Sequence, residues 1–113
     1  MSQDFEQLKD EINRFVSERD WDQFHTPKNL SMALSVEVSE LMEHFLWVDT
    51  NTSKNVLKSK RDEIRTELAD ILIYLLRLSE VCDIDLPEAV LEKLEINREK
   101  DPADKVKGSS KKY

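Results

Sequence analysis

Apolar residues recur along this chain at helical spacing almost from end to end. Over residues 4–19, Phe5, Leu8, Ile12, Phe15 and Val16 alternate with charges, which predicts an amphipathic first helix whose role is packing. A second helix is predicted from about Lys28 to Trp47, with Thr26 as its cap and Pro27 in the first turn. Its Leu30, Ala33, Leu34, Leu41 and Phe45 share one angular sector. A third is predicted from about Lys60 to Val81, apolar nearly all round between Leu68 and Leu78 except at Asp70 and Arg77. Such a helix is buried on most sides, and in a short chain that points to cover from another subunit. Asp85-Leu-Pro-Glu88 reads as a capping box with a proline in the first turn. It opens a fourth helix to about Lys100, with Val90, Leu91 and Leu94 inward.

The segments between are less regular. Val48 to Ser59 is polar and reads as a surface loop, suited either to a mobile flap or to ordinary solvation. From about residue 101 to 113, Lys105, Lys107, Lys111 and Lys112 make a flexible basic tail. That tail either folds over an anionic ligand or has no role in binding.

Composition sharpens this picture. A length of 113 residues fits one domain, 1–113, with a modest core, and one Gly with three Pro leaves few helix breakers. The fold class is therefore all-α. A net charge of −7 argues against general affinity for nucleic acid or anionic membrane. An anionic substrate would need a bound metal or local cations to bring it in. The single Cys82 rules out an intramolecular disulfide, fits a reducing compartment and reads as an apolar space-filler. Met1 to Glu6 shows no secretory pattern, and the apolar run Ile71–Leu78 contains Arg77 and is too short to span a bilayer. A cytoplasmic location, away from membranes, is the expectation.

Two stretches break the usual rule that carboxylates face water. Glu37-Val-Ser-Glu40 and Glu67-Leu-Ala-Asp70 each carry two acids three residues apart, which places them on one helical face. Glu37 and Glu40 flank the apolar sector of the second helix, and Glu67 and Asp70 lie amid Ile64, Ile71, Tyr74, Leu75 and Leu78 of the third. A buried, unpaired carboxylate costs several kcal/mol or takes up a proton. Four together repel unless a cation stands between them, and hard oxygen ligands at this density suit Mg²⁺ or Mn²⁺. The two segments also align with one another at a spacing of 30 residues. Facing each other antiparallel, such helices would converge all four acids on one point.

The surroundings offer binding groups, each with a plainer alternative. Trp21, Phe24 and His25 can hold a nucleobase by stacking and a hydrogen bond, or plug the helix junction. His44, nearly in line with the acids, either borders the site or is a packing residue. Lys93 and Asn97 share a face with Arg98 beside them, and can hold phosphate oxygens or form a solvated surface. Mg²⁺ commonly bridges carboxylates and phosphates and lowers the pKa of an attacking water. The reaction class that follows is hydrolytic phosphoryl transfer. With one Gly in the chain, no P-loop is available.

E-x-x-E followed some thirty residues later by E-x-x-D resembles the all-α NTP pyrophosphatase superfamily, the MazG-like proteins. Within it, Arg19-Asp-Trp-Asp-Gln-Phe-His, Glu37-Val-Ser-Glu-Leu with Trp47, and Glu67-Leu-Ala-Asp-Ile-Leu-Ile-Tyr look closest to the dCTP pyrophosphatase branch. So do Asp85-Leu-Pro and Lys93-Leu-Glu-Ile-Asn-Arg98. The resemblance implies a four-helix bundle assembled as a homodimer or homotetramer. It implies cleavage of a nucleoside triphosphate to the monophosphate and pyrophosphate, with Mg²⁺ on Glu37, Glu40, Glu67 and Asp70. By the same carry-over Trp21, His25, Trp47 and Tyr74 surround the base and sugar. Lys93, Asn97 and Arg98 would contact phosphates.

Other readings compete. A dUTP or phosphoribosyl-ATP hydrolase of the same superfamily would use the same metal chemistry. A non-catalytic helical interaction module would leave the acids on a solvated face. A di-iron bundle needs Glu-x-x-His pairs, and neither His25 nor His44 has a Glu three residues before it.

Overall fold

Asp4 starts the first helix, α1 (Phe5–Glu18): its carboxylate accepts from the Gln7 backbone N–H at 2.8 Å. The Gln7 side-chain oxygen accepts in turn from the Asp4 N–H at 3.2 Å, so two free donors of the helix end are satisfied reciprocally. The computed structural model describes residues 4–109, and every regular element among them is helical. α1 closes in a Schellman turn, in which Asp20 N–H donates to the Ser17 carbonyl and Trp21 N–H to that of Val16, both at 3.1 Å. Asp20 takes the left-handed φ of 54° that this turn requires, which a short polar side chain tolerates. Trp21 is thereby turned back onto α1, where its ring meets Phe15 edge-on with centroids 5.7 Å apart.

One turn of 3₁₀ helix, Asp22–Phe24, leads into α2 (Pro27–Glu43). Thr26 caps it by accepting from Asn29 N–H at 3.1 Å, and the Asn29 amide reaches back to the Phe24 carbonyl at 3.0 Å. The helix stops short of the predicted end at Trp47. Phe45 N–H bonds the Met42 carbonyl and Val48 N–H that of Phe45, so the chain tightens into successive turns after Glu43. Trp47 stands in those turns and is 92% exposed.

The stretch expected to be an irregular loop contains a second 3₁₀ run, Thr50–Val56, capped by Asp49 accepting from Asn51 N–H at 2.9 Å. Thr52 and Ser53 hydroxyls bond the carbonyls of Asp49 and Thr50, so local side-chain to backbone bonds organise a segment without apolar periodicity. It packs on α3 (Leu57–Val81), which is interrupted at Lys60 by a non-helical φ of −120° and ψ of 17°. α3 also contacts both α1 and α2. Asp83, at φ 54°, ends the helix as Asp20 ends α1.

The chain divides into two compact units, the first ending at Cys82 and the second beginning at Asp83. The second comprises α4 (Leu86–Lys100), capped by Asp85 accepting from Glu88 N–H at 3.1 Å, and the single turn α5 (Ala103–Val106). That short turn lies in the stretch expected to be a flexible tail; Lys111 and Lys112 fall outside the described residues.

Ile12, Val16, Leu30, Ile64 and Leu76 are the buried apolar side chains among the described residues, and Leu30 and Leu76 are the most enclosed. Leu68, Leu72 and Ile73 of α3 are exposed within the single chain, the apolar surface for which the continuous run predicted cover from another subunit. Two expectations are corrected. Val90, Leu91 and Leu94 of α4 are exposed rather than inward. Cys82, expected at an apolar packing position, is exposed at the end of α3. Periodicity identifies an apolar face but not what covers it. Leu76 is only 1% exposed, so Leu76→Ala is expected to destabilise the fold by about 2–5 kcal/mol, read from the midpoint of urea unfolding.

Candidate active site

α2 and α3 are antiparallel. His44, just past the end of α2, stands 3.8 Å from Glu63 and 3.9 Å from Glu67, whereas Glu37, two turns earlier, meets Glu67 and Asp70. Later residues of one helix thus face earlier residues of the other. The i, i+3 spacing on each helix then aims acids into the shared seam. One carboxylate oxygen from each of Glu37, Glu67 and Asp70 lies within 4.8 Å of the other two. All three residues are half-buried.

This cluster is unsatisfied by the protein itself. Glu37 Oε2 and Glu67 Oε2 are buried without a hydrogen-bond partner among the described residues. Burial, reinforced by the charges of Glu40 and Asp70, pushes the Glu37 carboxyl up to about 7. Burial and Glu40 likewise raise Glu67, against an opposing pull from His44. Glu40 itself is exposed and outside the three-acid cluster, yet its carboxylate reaches both glutamates and raises them by its charge and by side-chain hydrogen bonding. The residues fit a divalent cation. Oxygen ligands of Mg²⁺ at its ~2.1 Å bond length stand roughly 3.0–4.2 Å apart, inside the 4.8 Å limit within which the three carboxylate oxygens already lie.

A cavity of about 250 Å³ opens beside the cluster, lined by Phe15, Val16, Trp21, His25, Asp70, Ile73, Tyr74 and Arg77. Asp70 belongs to both, so the acids and the cavity share a wall. Three of the four predicted base-site residues, Trp21, His25 and Tyr74, therefore come together. Trp47 does not line this cavity. Arg19 stacks its guanidinium over the Phe15 ring at 3.7 Å, bracing the wall from outside.

Arg77 was legible only as a charge interrupting an apolar run, and its role is larger. Its side chain is almost wholly buried and donates three hydrogen bonds, to Asn13 Oδ1 at 2.8 Å, His25 Nδ1 at 3.1 Å and Asp22 Oδ1 at 3.1 Å. It thus ties α1, the 3₁₀ turn and α3 around the cavity. Burial and the Arg77 cation hold His25 below its usual pKa, against the opposing charge of Asp22.

The predicted phosphate contacts lie in the second unit. There Lys93 lines an open groove with Ala89, Val90 and Leu94, Asn97 is half-buried, and Arg98 pairs with Glu95 at 2.7 Å.

Residues 32–113 match the model of the MazG-like family, and the chain belongs to that family. Over 101 residues it is 46% identical to dCTP pyrophosphatase 1 of Mus musculus and of Homo sapiens, a match covering 88% of this chain. The chain spans about 59% of the length of these relatives. A pyrophosphatase from Archaeoglobus fulgidus superposes with a TM-score of 0.85 at 41% identity, over 90% of this chain and 95% of that one. No helix among the described residues is long and apolar enough to cross a membrane.

The raised carboxyls set a pH dependence. Glu37 is held at about 7 against an ordinary value of 4.5, so the folded, metal-free protein binds more protons than the unfolded chain between those limits. Its stability is therefore expected to fall as pH rises through that window. Added Mg²⁺ or Mn²⁺ should flatten the fall, as should Glu37→Gln. Thermal unfolding across the window, in EDTA and with the ion, checks the sign.

Proposed function

We propose that this protein hydrolyses nucleoside triphosphates between the α- and β-phosphates, releasing the monophosphate and pyrophosphate, with dCTP-like deoxynucleotides as the leading substrates. The observation that carries this reading is the wall shared at Asp70 by an unsatisfied three-carboxylate cluster and an aromatic-lined cavity. It is supported by the dCTP pyrophosphatases and the archaeal pyrophosphatase among its relatives. A cluster of this kind suits phosphate chemistry, and a cavity with Trp21 and Tyr74 in its wall suits a base.

Glu37, Glu67 and Asp70 would hold the cation, with Glu40 bordering them from the solvent side. Mg²⁺ supplies charge neutralisation on the phosphate oxygens and a more acidic bound water. Glu37 and Glu67 give up the protons that burial favours when the ion binds, so loading is stronger at higher pH. Trp21 offers a ring face for stacking, and Tyr74 and His25 line the same space with polar atoms. Lys93, Asn97 and Arg98 are the candidate phosphate contacts of the second unit. Water would add to the α-phosphorus with loss of a proton to solvent, and the bridging oxygen would leave with the pyrophosphate.

We further read the working form as a homodimer or homotetramer in the cytoplasm. Met32, Val36, Val38, Met42 and Leu46 on α2 and its following turn are exposed, as are Leu68, Leu72 and Ile73 on α3. So much apolar surface on two adjacent helices marks an association face.

Two measurements test this reading. Pyrophosphate release from a panel of deoxynucleoside and nucleoside triphosphates should require Mg²⁺ or Mn²⁺ and stop in EDTA. Glu67→Ala should lower it by roughly 100-fold or more, on the scale of losing one preorganised electrostatic contact to the transition state. No release from any nucleotide by folded protein would favour a helical interaction module instead. Sedimentation should give a dimer or tetramer, and Leu72→Glu should shift it towards monomer.

A further inference from the structure

The hydrogen bonds of Arg77 settle a question about His25 that sequence alone leaves open. A guanidinium carries donors only and stays protonated at any ordinary pH. Its Nε–H lies 3.1 Å from His25 Nδ1, so that nitrogen is the acceptor and carries no proton. In a neutral imidazole the proton must then sit on Nε2. Arg77 is not free to reorient, because its other two nitrogens are held by Asn13 Oδ1 at 2.8 Å and Asp22 Oδ1 at 3.1 Å. It is also only 5% exposed, so the guanidinium itself has little access to water. His25 Nε2 makes no hydrogen bond to another described residue, while the ring lines the cavity beside Asp70 and Tyr74.

We propose that Arg77 is a positioning residue: it fixes His25 as the neutral Nε2–H tautomer, so that the cavity presents one oriented donor. The inference rests on reading the cavity as the base pocket. The pocket then selects bases that present an acceptor at that point, either a carbonyl oxygen or an unprotonated ring nitrogen. A base that places an N–H there leaves two donors facing each other, and is disfavoured. A pyrimidine edge of the cytosine type carries both kinds of acceptor side by side, whereas uracil replaces the ring acceptor by an N–H.

The chain has two histidines, so long-range proton–nitrogen spectra of the imidazoles are readily assigned with a His25→Gln variant. Recorded near pH 8 on the metal-free protein, they should show His25 as a single Nε2–H tautomer, whether or not the protein is active. A predominant Nδ1–H form, or a mixture of the two in wild type, overturns the proposal. In Arg77→Met the preference should collapse towards a mixture; a folded variant that keeps the wild-type tautomer overturns the role of Arg77.

A second arm needs no change at Arg77 and so survives a folding defect in that variant. Gln places its amide donor near the Nε2 position, and Asn places its own near Nδ1. His25→Gln should therefore retain nucleotide binding better than His25→Asn, by roughly three- to tenfold in KM, with kcat less affected. Equal KM values for the two variants overturn the assignment of Nε2–H as the recognition donor. If no nucleotide is turned over at all, the functional reading fails while the tautomer measurement still stands or falls by itself.

Discussion

Like charges placed in a half-buried seam organise this molecule. Glu37, Glu67 and Asp70 bring oxygens within 4.8 Å of one another, and two of those carboxylates have a buried oxygen that nothing else in the described structure satisfies. Helix propensity does not ask for this arrangement, and packing would be better served by apolar residues at the same positions. Burial, with the charges of Glu40 and Asp70, accordingly pushes the Glu37 carboxyl up to about 7 in the metal-free protein. Antiparallel pairing of α2 and α3 is what makes the acids meet. On the proposed reading, a cation that replaces the protons would recover the stability sacrificed in their seam, which would link folding to loading.

The other half of the site is built by local devices. A Schellman turn fixes where Trp21 leaves α1, and the edge-on contact with Phe15 holds its ring. Thr26 and Asn29 then pin the entry to α2 only a few residues later. Between these two fixed points, Asp22 and His25 have little freedom, and Arg77 reaches across from α3 to bond both. Aromatic residues on a connecting segment thereby acquire the precision of residues on helices. The guanidinium costs energy to bury alone, and its three oriented acceptors offset that cost.

Much of this was legible in the sequence, for physical reasons that differ residue by residue. The acids were visible because carboxylates within an apolar sector violate the usual partition. Helix starts at Thr26 and Asp85 were visible because capping is local chemistry, and each accepts the N–H three residues on. The i, i+3 spacing fixes a face only to within a wide angle, so it does not tell that Glu40 lies on the solvent side of the cluster while still acting on Glu37 and Glu67. The 3₁₀ run Thr50–Val56 escaped notice because its order comes from Asp, Thr and Ser bonding nearby backbone, which leaves no apolar period. The role of Arg77 is hidden from the sequence for a related reason. Its acceptors lie 52 to 64 residues away, and no local pattern announces a partner at that distance.

The exposed apolar residues connect the two themes. Val36 and Val38 flank Glu37 on the chain, and Leu68 follows Glu67, so side chains without cover alternate with side chains that would bind the cation. Neighbours along a helix stand about 100° apart, so the exposed apolar side chains and the acids occupy adjoining faces of α2 and α3. If a second copy covers α2 and α3, as we propose, it lowers the dielectric around the acids while burying the apolar face. Lower dielectric strengthens both the repulsion among the carboxylates and their attraction to a divalent ion. Association and metal loading would then reinforce each other through the same few ångströms of helix surface. On this argument the small core of the isolated chain is not a defect of the fold. The apolar area missing from the interior lies beside the acids, where its burial would serve both stability and ion binding.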